Sequence, residues 1–139
     1  MLVPPNRELY KTHPDQLMFK LLLDEIGPII NQSIVHFGGF IPFGMGYANE
    51  RIIPFQWPLN KHLPTFGLIE WVTEQLKNHS PPLEAAALVF TVNIRTPKAE
   101  EHSVIVLDTK EGPSIKLFIP FDQNRREYWW CEAAQKKLL

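Results

Sequence analysis

Between residues 86 and 95 the chain alternates with a regularity that decides much of what it can fold into. Leu88, Phe90, Val92 and Ile94 fall on one side of an extended backbone, and Val89, Thr91, Asn93 and Arg95 on the other. A period of two marks a half-buried strand, and its β-branched and aromatic content suits a pleated surface. This strand is expected in the middle of a sheet, with helices and a hairpin before it and further strands after it.

Upstream, Thr12-His13-Pro14-Asp15 has the form of a helix start. Pro14 falls in the first turn, where its missing N–H costs nothing, and Asp15 lies near the positive end of the dipole. Leu17, Met18, Leu21, Leu22, Ile26, Ile29, Ile30 and Ile34 then keep helical spacing and make one apolar stripe. Gly27-Pro28 interrupts it, but the stripe stays in phase, so one kinked helix is predicted rather than two. The helix ends within residues 36–40. Residues 41–47 and 51–55 read as two short strands around Ala48-Asn49-Glu50, where Asn49 tolerates a left-handed backbone. Gly44 and Gly46 weaken the first of these strands and mark a bulge or a close backbone approach.

A second helix is predicted over 65–78, with Phe66, Ile69, Val72 and Leu76 inward and Ser80-Pro81-Pro82 as its stop. Beyond the opening strand, residues 103–108, 115–121 and 127–132 read as further strands. Connections this short imply antiparallel neighbours, a meander. The expected fold is α+β, a two-layer sandwich in which an antiparallel meander sheet carries two main helices on one face. It forms a single domain over 1–139, with residues 1–11 as a flexible arm. The opposite face is expected to carry Val89, Thr91, Asn93, Arg95, Val104, Val106, Lys116 and Phe118. That is more apolar than a wetted face needs, so either the C-terminal segment or a second subunit covers it, and a homodimer is expected.

The segment Phe40-Ile41-Pro42-Phe43-Gly44, placed between the first helix and the hairpin, resembles small bacterial α+β proteins without an assigned activity. In these an F-x-P-F-G hairpin follows the N-terminal helix, and a second helix and a meander come after it. The resemblance implies the fold and transfers no site.

Fourteen basic against fifteen acidic side chains leave a net charge of −1, which argues against a nucleic-acid binder that works through a basic face. Cys131 is the single cysteine and cannot form an internal disulfide. With no secretory leader and no apolar run long enough for a bilayer, a cytoplasmic protein without membrane contact is expected. His13, His36, His62, His79 and His102 have no metal-ligand spacing, so they read as isolated surface or cap histidines, with no metal and no cofactor. No nucleophile elbow and no phosphate-binding glycine loop is present, which points away from an enzyme.

The feature that rises above background is aromatic: one group from Phe37 to Trp71 and another from Phe118 to Trp130. Large rings supply much contact area per ordered side chain. The candidate binding residues are Phe43, Tyr47, Arg51, Trp57, Arg125, Arg126 and Trp129, the two adjacent arginines standing beside flat rings. The expected function is a non-enzymatic interaction module, homodimeric or bound to a protein partner, acting through this aromatic and apolar surface. The alternative is a small-molecule-binding protein or enzyme with an aromatic-lined pocket between the hairpin and Tyr128-Trp129-Trp130.

Overall fold

A computed structural model describes residues 16–56, 65–94, 100–110, 114–121, 129–132 and 138–139. In chain order these form helix α1 (Gln16–Phe37), strands β1 (Phe43–Ala48) and β2 (Arg51–Phe55), and helix α2 (Thr65–Asn78). Strands β3 (Ala85–Ile94), β4 (Glu100–Thr109), β5 (Ile115–Pro120) and β6 (Trp129–Glu132) follow. All are joined in one antiparallel sheet of order β2-β1-β3-β4-β5-β6. The α+β class and the antiparallel sheet are as the sequence predicts. The predicted helix start at residues 12–15 and the arm at 1–11 lie outside the described residues.

The meander holds from β3 to β6 but not before it. Strand β3 pairs with β1 rather than with its predecessor β2. Strands β2 and β3 therefore run parallel with β1 between them, and α2 is the crossover that joins them, packed against β1, β3 and β2.

The helices do not share a face. Phe43 and Met45 of β1 cluster with Ala85, Ala87 and Val89 of β3 and with Phe19, Leu22, Ile26 and Ile30 of α1. The intervening residues Ala86 and Leu88 cluster with Val72 and Leu76 of α2. Successive strand residues point to opposite faces, so α1 lies on one side of the sheet and α2 on the other. The expected two-layer sandwich becomes three layers: helix, sheet, helix. For the same reason residues 85–89 and 102–109 are buried without a break, as in strands covered on both sides. The opening strand is half-buried only in its second part.

Small residues make room where the two helices approach. Alanines occupy positions 85–87 of β3. A Cβ built at Gly44 would stand 2.7 Å from Val72 Cγ1 of α2, and one at Gly46 would stand 2.7 Å from Leu83. These glycines thus mark a close approach, one of the two meanings the sequence allowed.

Two sequence expectations change at the level of faces. Register sets Leu88 beside Val106 and Val89 beside Ile105, so Val104, Val106, Lys116 and Phe118 share the α2 side, while Val89, Thr91 and Asn93 lie on the α1 side. A loop whose length is misjudged by one residue moves a whole strand's pattern to the other face. On α1 the buried line is Phe19, Leu22, Ile26 and Ile30, whereas Leu17 is 67% exposed. At about 100° per residue Leu17, Leu21 and Val35 fall on the side away from that line. The helix itself is continuous through Pro28.

The β1–β2 hairpin closes through two residues, since Ala48 pairs with Arg51. Both take a left-handed backbone, Asn49 with φ 52° and Glu50 with φ 62°, the geometry that matches strand twist. Asn49 suits it, but Glu50 carries the cost of a Cβ in that region. The substitution Glu50→Gly is expected to stabilise the protein by about 1 kcal/mol, read as a rise of a few degrees in thermal midpoint.

Candidate functional site

The end of α1 is where the sheet and its helix part company. Gly38, with φ 73°, donates its N–H to the Ile34 carbonyl oxygen at 2.9 Å and stops the helix in a left-handed turn. Phe37, the residue before it, falls on the same helical line as Phe19, Ile26 and Ile30. It stands past the point where β1 and β3 provide cover, and it is 85% exposed. A ring on the core side of an amphipathic helix that meets no core is the most unusual apolar exposure among the described residues.

Residues 38–42 turn back from α1 into β1, and the space between the two is a cleft of about 650 Å3. One wall is α1, through Ile29, Ser33 and Phe37. The other is the returning loop, through Phe40, Ile41 and Pro42, with Phe43 behind it and Gln56 at the end of β2. Phe40 holds the loop by packing edge-on to Phe43, ring centroids 5.8 Å apart, and against Phe121 at 6.2 Å. Ile41 is 51% exposed beside Phe37 on the rim. Among the described residues, the polar side-chain groups of this lining are the Ser33 hydroxyl and the Gln56 amide. None of its described lining residues brings a carboxylate, imidazole or amine; what they offer is contact and shape.

Of the seven residues singled out from the sequence, the structure places Phe43 in this cleft, nearly buried. Tyr47 lies at the far end of β1, half-buried against the α1-side cluster. Arg51 is exposed at the start of β2, beside the hairpin turn, so neither faces the cleft. Trp57, Arg125 and Arg126 lie outside the described residues, and Trp129 is described only as a strand position paired with Phe118. The expected pocket wall at Tyr128-Trp129-Trp130 falls outside the described side chains. The wall described opposite the loop is α1.

His13 and His62 lie outside the described residues, and the other three histidines stand apart from one another. His36 is exposed at the end of α1, and His79 is partly exposed, its Nδ1 2.8 Å from the Pro81 carbonyl oxygen and its ring edge-on to Phe55. His102 departs from the surface reading. It is buried in β4, with Nδ1 3.1 Å from the Glu100 carbonyl oxygen, and Nε2 meets no hydrogen-bond partner among the described residues. No three potential metal-ligating side chains converge among the described residues. Asp24 forms an exposed ion pair with Lys20 at 3.6 Å.

Asp108, which no sequence motif singles out, is fully buried at the end of β4 on the α2 side. Its Oδ1 accepts a hydrogen bond from Ser114 Oγ at 3.0 Å. Its Oδ2 accepts from the backbone N–H of Leu138 at 2.7 Å and of Leu139 at 3.1 Å. Leu138 is buried in the same cluster as Val104 and Val106. Leu138 and Leu139 therefore cover part of the α2-side face, as α2 itself does.

No helix among the described residues is long and apolar enough to cross a membrane. No family model matches the chain, and neither a curated protein nor a solved structure does.

Proposed function

We propose that this protein is a non-enzymatic interaction module whose contact surface is the cleft at the end of α1 and its rim of Phe37 and Ile41. The observation that carries the reading is Phe37: a large ring on the core line of its helix, left 85% exposed beside an apolar cleft. Burying such a ring against a partner is worth roughly 1.5–3 kcal/mol, and aromatic anchors seated in pockets dominate contact energies. Knob and hole lie side by side on one patch. A two-fold axis through it would set each Phe37 against the other copy's cleft, the self-complementary arrangement of a symmetric dimer.

Light scattering across a concentration series tests this. The wild-type mass is expected to rise toward that of a dimer, and Phe37→Ser is expected to remain monomeric. Its thermal midpoint should hold, since replacing an exposed side chain changes stability by about 0.5 kcal/mol or less. A wild-type protein that is monomeric throughout would remove the homodimer.

A second reading rests on the cleft's size. Its volume of about 650 Å3 suits a small apolar ligand, with Ser33 and Gln56 to orient one polar group. That reading requires a monomer whose thermal midpoint rises with such a ligand.

A further inference from the structure

Strand β2 stands at one end of the sheet order, and among the described residues only β1 pairs with it. We infer that its outer edge is a pairing surface for a second copy of the same strand, and that Pro54 holds that surface shut. The inference is independent of the α1 cleft.

The hairpin turn sets which backbone groups face outward. In a two-residue hairpin the flanking residues, here Ala48 and Arg51, exchange both hydrogen bonds, and bonded and non-bonded pairs alternate along the ladder from there. Arg51, Ile53 and Phe55 therefore bond inward, to Ala48, Gly46 and Gly44. The backbone groups of Ile52 and Pro54 turn outward. Proline agrees with this parity, because opposite Met45 its missing N–H costs β1 no bond. What β2 presents at the edge is the N–H and carbonyl of Ile52 and the carbonyl of Pro54.

The rest of the strand favours pairing. The run Ile52-Ile53-Pro54-Phe55 carries no charge, and isoleucine and phenylalanine are strong strand formers. The strand matches β1 residue for residue, without a bulge. Edges of this kind attract other chains unless a charge, a bulge or a proline blocks them, which leaves Pro54 as the block. Two copies of β2 set antiparallel about a two-fold axis at Ile53 bring each Ile52 opposite the other copy's Pro54. Each Ile52 N–H then reaches a Pro54 carbonyl oxygen, but each Ile52 carbonyl faces a proline ring where a donor is needed. A residue with an N–H at position 54 doubles the bonds across the seam and removes the ring from it. Pro54 is itself exposed, so replacing it disturbs little of the core.

The experiment compares Phe37→Ser with the double variant Phe37→Ser, Pro54→Val, so that association through the α1 cleft contributes to neither. Light scattering across a concentration series is expected to give the double variant about twice the mass of Phe37→Ser at the top of the series. Its amides at positions 52 and 54 should exchange at least about tenfold more slowly in the associated form. A folded double variant that stays monomeric would overturn the proposal, and so would association that leaves those two amides unprotected. Hydrogen exchange on the wild-type chain decides the matter if the double variant does not fold. The outward amide of Ile52 is expected to exchange at least about tenfold faster than the inward amide of Ile53. Equal protection would mean that the edge is already occupied, and would overturn the proposal as well.

Discussion

Replacing Asp108 by alanine is expected to destabilise the protein by about 3 kcal/mol, lowering the thermal midpoint by about 10 °C for a domain of this size. Asp108 is fully buried and accepts from Ser114 Oγ and from the N–H groups of Leu138 and Leu139. Alanine removes these acceptor contacts, and it leaves the Ser114 hydroxyl and the Leu138 N–H in a place where water does not readily replace them. Hydrogen bonds to a charged group contribute about 1.5–3 kcal/mol each, and an abandoned buried donor adds its own desolvation cost. Partial relaxation of the C-terminal segment toward solvent holds the total below the simple sum. Asp108→Asn keeps the shape and one acceptor oxygen, so it should cost less than half as much. Thermal and urea melts of both variants measure this. Equal midpoints for wild type and Asp108→Ala would mean that the carboxylate contributes nothing to holding the face closed.

Gly44→Val carries the second large effect, again about 3 kcal/mol of destabilisation, at the upper end of what overpacking costs. Valine is an excellent strand residue in general, so on an open sheet face this change would stabilise β1. Here the first carbon added would stand 2.7 Å from Val72 Cγ1 and 3.3 Å from the Ala87 carbonyl oxygen. The methyl group of Val72 can yield only by leaving the one rotamer a helical valine strongly prefers or by moving with α2, and the carbonyl oxygen is fixed in β3. Shortening Val72 to alanine makes room. The double variant Gly44→Val, Val72→Ala should therefore lose less stability than the two single changes added together, by about 1 kcal/mol or more. Chemical denaturation reads all three variants. A neutral or stabilising Gly44→Val would contradict the placement of α2 on that face, and with it the three-layer architecture.

How far the sequence carries the fold depends on what each signal encodes. Element positions were legible because they are local: the alternation after Ala86, the helical spacing from Leu17 to Ile34 and Asn49 at the hairpin turn each act over a few residues. Faces were not legible to the same degree. Which side of the sheet Val104 joins depends on the register across the β3–β4 loop, and which side α2 takes depends on a crossover rather than on α2 itself. One sequence signal did point to both-sided cover. Three alanines in a row at the start of β3, and glycines at 44 and 46, leave little side chain for a face that water wets.

The site was harder still. Phe43 was found because it belongs to a dense aromatic stretch. Phe37 belongs to that stretch too, but its significance comes from two facts taken together, its helical phase and the sheet's extent, and only the first is local. Asp108 gave a weaker signal. An aspartate closing an apolar strand reads as the start of a solvated turn, and its inward register appears only once Ala86 is known to be its partner. Its donors come from thirty residues downstream and are main-chain groups, which no side-chain motif announces.

On the proposed reading, the cleft beside Phe37 is where this protein meets another molecule. A backbone and side-chain chemical-shift map, recorded with and without indole as a mimic of an aromatic side chain, tests it most directly. The predicted result is a saturable set of shifts centred on Phe37, Ile41, Ser33 and Gln56, with Lys116 and Phe118 on the opposite face unmoved. Shifts confined to that opposite face, or none at saturating probe, would contradict the account.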